Sequence, residues 1–327
     1  MSETKFLSIK DLVVEYTQGK DVIHAVNGID LDLEKGRTLG LVGETGAGKT
    51  SIAKAILRIL PDVGAYIRSG EVLLDGQDLL QLPEPEMQEI RGNRIAMIFQ
   101  DPMTALNPLM TVWEQITEAI ELHHKDWDSA KCSQEAVGML ELVGIPGERF
   151  GEYPYQFSGG MKQRVVIAMA LSCNPELLLA DEPTTALDVT IQAQVLNLMK
   201  GLREKMGTSM ILITHDLGVV AEMCDEVATV YAGHVVEKGP VMDVYLHPAH
   251  PYTIGLFGAL PVMNADSDRL QPIPGMMPDP ANLPEGCPFA PRCQYATQKC
   301  QTEMPPLREL SNGHCVACHN EIGGESA

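Results

Sequence analysis

Near the start of the chain, short stretches rich in apolar residues read as strands, at Leu7–Ile9, Leu12–Tyr16 and Ala25–Leu33. In the last of these, Val26, Ile29, Leu31 and Leu33 suit a sheet. The unbroken run Thr38-Leu39-Gly40-Leu41-Val42 reads as a buried strand. Between Ser51 and Leu60, the residues Ile52, Ile56, Ile59 and Leu60 fall at helical spacing. Val72-Leu73-Leu74 before Asp75-Gly76 predicts a strand ending in a turn, and Ile95–Phe99 predicts another strand. From about Asp101 to Gly160 the pattern turns helical. Val112, Ile116, Ala119 and Ile120 make one face, and Ala136, Met139, Leu140 and Val143 make another. Pro102, Pro108, Pro146 and Pro154 punctuate this stretch, which therefore reads as a helical insert in a sheet domain.

Strands and helices alternate after that. Leu177–Ala180, Met210–Thr214, Val227–Tyr231 and Val235–Glu237 read as strands. Val189–Lys205, with Asp188 as its N-cap, and Leu217–Met223 read as helices. Such alternation predicts a mainly parallel sheet covered by helices. Past Leu260 the texture changes to a proline-rich stretch reaching Pro306, so a domain boundary is expected near 255–265.

Composition alters this picture little. The 327 residues are 45% hydrophobic and 21% charged, ordinary for a globular protein. The formal charge of −20 argues against nucleic acid or anionic lipid as a main partner, since both call for clustered Lys and Arg. No apolar run approaches the roughly 18 residues that span a bilayer. Met1-Ser2-Glu3-Thr4-Lys5 lacks the layout of a signal peptide, so a cytosolic chain is expected. Its eight cysteines are then not expected to form disulfides, and Cys132, Cys173 and Cys224 are expected to be buried or inert thiols.

Candidate chemistry centres on Gly43-Glu44-Thr45-Gly46-Ala47-Gly48-Lys49-Thr50, followed by Ser51. Predicted strand, glycine-rich loop, Lys-Thr and predicted helix form the context in which this spacing binds a nucleoside triphosphate. Glycines let backbone N–H groups curl around phosphate oxygens, and the next helix aims its positive end at them. Lys49 can reach the β- and γ-phosphates, and the Thr50 hydroxyl can ligate Mg²⁺. Further on, Leu177-Leu178-Leu179-Ala180 delivers Asp181, suited to the metal, and then Glu182, placed to polarise an attacking water. In Phe157-Ser158-Gly159-Gly160, Ser158 can cap a helix whose start offers N–H groups to a phosphate.

In this combination and order, the residues resemble the ATP-binding cassette (ABC) transporter ATPases over roughly residues 5–258. Gly43–Thr50 matches the Walker A loop, Gln100 the Q-loop, and Ser158-Gly159-Gly160 the signature motif. Asp181-Glu182 matches Walker B and the catalytic glutamate, Ala186-Leu187-Asp188 the D-loop, and His215 the switch histidine. Tyr16 sits where the family stacks an aromatic ring on adenine. Met161 stands where the signature usually has Gln, with little loss expected because Ser and Gly make the phosphate contacts. The resemblance implies an α/β fold: a P-loop cassette of mainly parallel sheet with helices, an antiparallel β subdomain and a helical insert at about 101–165, followed by a small Cys-rich extension. It also implies ATP and Mg²⁺, two cassettes meeting head to tail, and Gln100 coupling the metal site to an insert that docks on membrane subunits. Glu182 would act as base or water-orienting group, His215 would contact the γ-phosphate, and Thr50, Gln100 and Asp181 would surround Mg²⁺.

Cys287, Cys293, Cys300, Cys315 and Cys318 crowd the chain's end, and clustered cytosolic thiols suggest metal. The spacings from Cys287 to Cys293 and on to Cys300 are wide for zinc and suit a [4Fe–4S] cluster better; only Cys315-Val316-Ala317-Cys318 is zinc-like. This region resembles the C-terminal extension of dipeptide/oligopeptide importer ATPases. The matching segments include His250-Pro251-Tyr252-Thr253, Leu260-Pro261, Ile273-Pro274-Gly275 and Gly286-Cys287-Pro288-Phe289-Ala290-Pro291-Arg292-Cys293. Asp101–Pro108 is characteristic of the same subgroup. The resemblance implies a cluster on Cys287, Cys293, Cys300 and Cys318, with Zn²⁺ as the other metal and Cys315 as a spare thiol or competing ligand.

The expected organisation is a cassette at 1–258 and an extension at 259–327. The expected function is the ATPase motor of a dipeptide or oligopeptide importer, on the cytoplasmic face of the bacterial inner membrane. Expected partners are a second, homologous ATPase subunit, two transmembrane permeases and an extracytoplasmic solute-binding protein. Competing readings are an importer of nickel or another small solute, a soluble ABC ATPase acting on nucleic acid or ribosomes, and a regulatory subunit with a degenerate cassette. The single cassette and acidic charge disfavour the nucleic-acid reading; intact Lys49, Asp181, Glu182 and His215 disfavour the last.

Overall fold

The computed structural model describes residues 5–185, 187–258, 273–311 and 313–320. Ala186 of the expected D-loop, the Leu260-Pro261 match and the expected domain boundary at 258/259 fall on or beside residues outside that set. In chain order the elements are β1 (Leu7–Gln18), β2 (Asp21–Leu33), β3 (Thr38–Val42), α1 (Lys49–Leu57), β4 (Ala65–Leu74), β5 (Gln77–Asp78) and α2 (Glu84–Ile90). There follow β6 (Ile95–Ile98), α3 (Pro102–Ala105), α4 (Val112–His123), α5 (Ser129–Leu142), α6 (Gly159–Leu171), β7 (Leu177–Asp181), α7 (Val189–Met206) and β8 (Ser209–Ile213). Last come α8 (Leu217–Met223), β9 (Glu226–Tyr231), β10 (His234–Pro240), α9 (Val241–Leu246), α10 (Pro251–Gly258), α11 (Gln298–Thr302), β11 (Arg308–Ser311) and β12 (His314–Val316). The chain divides into two compact units, one of residues 1–33, 39–80 and 214–327, the other of 34–38 and 81–213.

In the first unit, an antiparallel sheet runs in the order β2-β1-β4-β5. The sequence suggests two strands where β1 is one. Its register shifts between Ile9 and Leu12, and Asp11 sits in the left-handed region (φ 44°). This bulge flips the alternation, so Leu7 and Ile9 before it and Leu12 and Val14 after it are all buried. Opposite, Gly70 (φ 108°) has to be glycine: a Cβ there would stand 2.6 Å from Leu12 Cα. Asp75-Gly76, both at positive φ, make the expected turn into β5.

The same unit carries neighbouring strands in the order β11-β12-β10-β9-β3. β3 is wholly buried and pairs parallel with β9, as its unbroken apolar run requires. β11 and β12, which the proline-rich sequence did not suggest, add antiparallel to β10, pairing Lys238 with Cys315 and Glu237 with Val316. Glu237 has no exposed surface and is fully used. It accepts the N–H groups of Ala249 (2.7 Å) and His250 (2.9 Å) and meets His314 Nε2 at 2.7 Å.

In the second unit, β6, β7 and β8 pair in parallel, Ile95 with Leu177 and Leu177 with Ser209. Val112, Ile116 and Ile120 of α4 and Ala136, Met139 and Leu140 of α5 are buried, the faces their spacing predicts. Thr111 and Glu114 form a reciprocal capping box at the start of α4. Thr111→Ala is expected to lower stability by about 1 kcal/mol, measured as a shift in the urea midpoint at unchanged slope. Among the described residues no helix is long and apolar enough to cross a membrane.

Candidate functional site

In the first unit, the loop between β3 and α1 is built so that only glycine fits at two of its positions. Gly43 (φ 145°) would place a Cβ 2.1 Å from the Val230 carbonyl oxygen, and Gly48 (φ 106°) would place one 2.2 Å from that of Ala25. Such close approach of bare backbone makes a cradle for phosphate oxygens. The helix starts at Lys49, earlier than its apolar spacing suggests, because Gly48 supplies a left-handed N-cap with no side chain competing for the first N–H groups. Lys49, 7% exposed, folds its Nζ over the loop and donates to the carbonyls of Gly43 (2.6 Å) and Glu44 (3.0 Å). Ala47 is buried within the loop, whereas Thr45 and Gly46 are exposed and Thr50 is half-buried. Tyr16 Oη and Ser51 Oγ lie 3.0 Å apart, tying the candidate adenine-stacking ring to the start of α1. His215 is exposed ahead of α8, where Asp216 caps Gly218 and Val219.

Three contacts of this loop were not foreseen from the sequence. The Glu44 N–H donates to Tyr252 Oη at 2.8 Å. Burial pushes the Tyr252 phenol up, so the hydroxyl stays neutral, and burial pushes His250 down to about 3. Neutral His250 accepts the Tyr252 N–H on Nδ1 at 3.1 Å. Arg292 pairs with the Glu44 carboxylate at 2.7 Å, and Met277 abuts Gly46. A signal was available in part, as Tyr252 and Arg292 stand in segments that the resemblance picked out.

In the second unit, β7 carries Asp181, 3% exposed, to its C-terminal end. Glu182 follows with φ 48°, a left-handed conformation that an L side chain rarely adopts. Strain of this kind is held only where the surroundings over-determine it, here by the Glu182 N–H donating to the Ile213 carbonyl at 2.8 Å. The Glu182 Oε2 accepts from Gln100 Nε2 (3.1 Å) and Thr185 Oγ1 (2.8 Å). So Gln100 and Glu182 are brought together; Thr185 is a partner that sequence reasoning missed. The N-terminus of α6 is open to solvent at Ser158 and Gly159, and Ser158 caps it by accepting from the Met161 N–H. Gly160 lies so close to α7 that a Cβ would stand 2.4 Å from Ile191 Cγ2. Asp188 caps α7 through the Ile191 N–H at 2.9 Å. Arg149 donates to Met161 Sδ at 3.3 Å.

Within the first unit the donor set fits a magnesium nucleotide, with a glycine cradle, an uncapped helix start, a buried lysine and the hard oxygen of Thr50. It does not extend to the metal expected at the chain's end. Among the described residues no group of three or more His, Cys, Asp or Glu side chains is placed to hold a metal ion. The [4Fe–4S] cluster expected on Cys287, Cys293, Cys300 and Cys318, and Zn²⁺ in its place, are therefore corrected. Cys287 and Cys300 are buried in an apolar cluster with Tyr231, Tyr252 and Phe289, against which Cys293 packs, while Cys318 belongs to another cluster with Ala249 and Val316. Burial raises the thiols of Cys287, to about 11, of Cys293 and of Cys318, so these three stay neutral, and Cys287 fills space between aromatic rings. Cys315, half-buried, donates to the Gly313 carbonyl, and Cys132 and Cys173 are buried as expected.

A raised thiol pKa favours folding while the thiol is neutral. The contribution of Cys287 is whole below pH 9 and is lost as pH rises from 9 towards about 11. In the folded protein Cys287 is expected to resist an aromatic disulfide reagent at pH 7.5 and to react once the chain is unfolded in guanidinium, as followed by peptide mapping of the labelled thiol.

A strand, a glycine cradle and a helix, with Asp-Glu ending a second strand and a Ser-Gly-Gly helix start, define a P-loop ATPase of the cassette kind. The model of the family described as "ABC transporter" matches residues 26–185, and that of the "Oligopeptide/dipeptide transporter, C-terminal region" matches residues 236–300. The chain is 48% identical to the oligopeptide transport ATP-binding protein AppD of Bacillus subtilis, over 98% of this chain and 99% of that one. It is 46% identical to the oligopeptide transport ATP-binding protein OppD of Escherichia coli, over 97% of this chain and 93% of that one. Among solved structures it is similar to the dimeric post-hydrolysis state of the ATP-binding cassette MJ0796 bound to ADP and Pi, with a TM-score of 0.65 and 27% identity over 72% of this chain and 98% of that chain. The chain belongs to the ABC transporter ATPases, in the branch of the oligopeptide and dipeptide ATP-binding proteins. The names of these relatives speak of ATP binding and peptide transport and of no iron–sulfur group, in keeping with the correction above.

Proposed function

We propose that this protein is the ATP-hydrolysing motor subunit of a membrane importer for dipeptides or oligopeptides. The observation that carries the reading is the likeness, over nearly the whole chain, to proteins named for oligopeptide and dipeptide transport. It is supported by a phosphate cradle whose geometry only glycine permits. The working assembly is two cassettes facing head to tail, the second a homologous subunit, with two permeases and an extracytoplasmic solute-binding protein, at the cytoplasmic face of the inner membrane. The division of labour follows the expected domains, with ATP on residues 1–258, docking on the membrane subunits by the insert at about 101–165, and an extension at 259–327.

The residues divide the chemistry. Tyr16 stacks on the adenine. Backbone N–H groups from Gly43 to Ser51 hold the β- and γ-phosphates together with the Lys49 ammonium, which leaves the Gly43 and Glu44 carbonyls it now donates to. Thr50, Asp181 and Gln100 would hold Mg²⁺, which would supply positive charge against the β- and γ-phosphates. Glu182 orients the attacking water and takes its proton, with Gln100 and Thr185 fixing its carboxylate. His215 contacts the γ-phosphate. Ser158, Gly159 and Gly160 present the start of α6 to the nucleotide of the facing cassette, and Asp188 sets the start of α7 beside them.

The test is reconstitution of the whole assembly in vesicles. Peptide uptake that requires ATP and stimulates its hydrolysis is the expected result. ATP hydrolysis with uptake of nickel but not of peptides would replace the cargo and keep the motor.

A further inference from the structure

The charge on the phosphate loop is not settled within the loop itself. Glu44 puts a carboxylate into a segment that has to accept a triphosphate. Arg292, distant in sequence, meets it with a two-point fork: Nη1 donates to Oε2 at 2.7 Å and Nη2 to Oε1 at 3.1 Å. The guanidinium side chain is 4% exposed and the carboxylate 34%. Every face of the guanidinium is held. Nε donates to the Pro274 carbonyl at 2.9 Å, Nη2 also to that of Ile273 at 3.4 Å, and Nη1 also to Tyr231 Oη at 3.3 Å. Beside it, Met277 Cε stands 3.2 Å from where a Cβ on Gly46 would lie, and Tyr252 Oη takes the Glu44 N–H. Residues far along the chain thus flank the loop on its Glu44–Gly46 side.

We propose that Arg292 is a positioning residue of the nucleotide site: it neutralises Glu44 and pins its carboxylate, so that the phosphate loop can take a triphosphate without repulsion from its own side chain. The proposal rests on the ATP-binding reading above and makes residues 273–292 part of the nucleotide-binding apparatus. A bare carboxylate within the loop would repel the several negative charges of ATP, and one such pair at about 4 Å weakens binding roughly fivefold even at the dielectric of water, and more at a lower one. Salt would screen part of that repulsion.

The test is binding of Mg-ATP to the purified full chain by titration calorimetry at low and at high salt. The parent chain, R292Q, and the double variant E44Q/R292Q are compared. R292Q is expected to bind ATP about tenfold more weakly, with the deficit shrinking at high salt. The double variant is expected to recover at least fivefold over R292Q, because the charge that Arg292 was needed for is gone. An Arg292 that merely anchors the chain's end gives a double variant no better than R292Q, and that result overturns the proposal, as does an unchanged affinity in R292Q. Should R292Q fail to fold by circular dichroism, R292K decides: it keeps the charge but loses the fork, so a loss below threefold supports the proposal and a tenfold loss overturns it. A parent chain that binds no ATP sinks the ATP-binding reading itself, an outcome separate from all of these.

Discussion

Glu182→Gln is expected to bind ATP while its turnover falls by about 10²- to 10⁴-fold, the range that loss of a positioned general base produces. Glutamine keeps the shape of the side chain and can still accept from Gln100 and Thr185, so the site should keep its geometry. What it loses is the oxygen that can take a proton from water. The unusual backbone at Glu182 strengthens the expectation. A positive φ at a non-glycine residue costs on the order of 1–3 kcal/mol, and the chain holds it with a hydrogen bond to the neighbouring strand. Steady-state phosphate release and fluorescent nucleotide binding, measured on the same preparation, separate the two effects. Undiminished turnover removes Glu182 from the chemistry.

Gly43→Ala is expected to damage stability and nucleotide binding together. The added methyl would stand 2.1 Å from the Val230 carbonyl oxygen, and φ is 145°, a region that L side chains rarely adopt. Neither neighbour can yield cheaply, since the oxygen belongs to β9, which pairs with β3 beside the loop. Relief requires parting the strands or swinging the loop, and a loss of about 3–5 kcal/mol is expected. Chemical denaturation should show an earlier midpoint, and ATP binding should be lost even where the variant is folded. Normal stability and affinity would mean that the loop adopts another path in solution. Gly46→Ala is the useful comparison. It too has positive φ, but its methyl would meet only the end of the flexible Met277 side chain at 3.2 Å, so a smaller loss is expected.

Legibility in the sequence tracked how local the cause was. The strand β3 and the capped helices α4 and α7 were readable because burial pattern and cap chemistry lie within a few residues. β1 was read as two pieces, because the bulge at Asp11 breaks the alternation while the hydrogen-bond ladder continues past it. The outer half of β4 escaped because Tyr66 and Arg68 point to solvent and leave no apolar rhythm. β11 and β12 escaped for another reason: they are short and held by pairing, β12 with β10 and β11 with β12, not by any pattern of their own. The partners of Glu44 and Glu182 stayed hidden except where a motif named them. Spacing of Cys287, Cys293 and Cys300 could not separate a metal-binding set from three small apolar residues packed among aromatic rings, since both put thiols close together.

By itself the sequence determined the glycine-rich loop and its lysine, the acids that end β7, the Ser-Gly-Gly helix start, and the alternation of strands and helices. Each of these is a short run in which residue type alone fixes what the backbone can do. Only the tertiary structure decided that Arg292 reaches Glu44, that Tyr252 takes the loop's N–H, and that Cys287 is a neutral thiol packed among aromatic rings. Those outcomes depend on burial and on which distant segments share a sheet, and a linear pattern does not carry either.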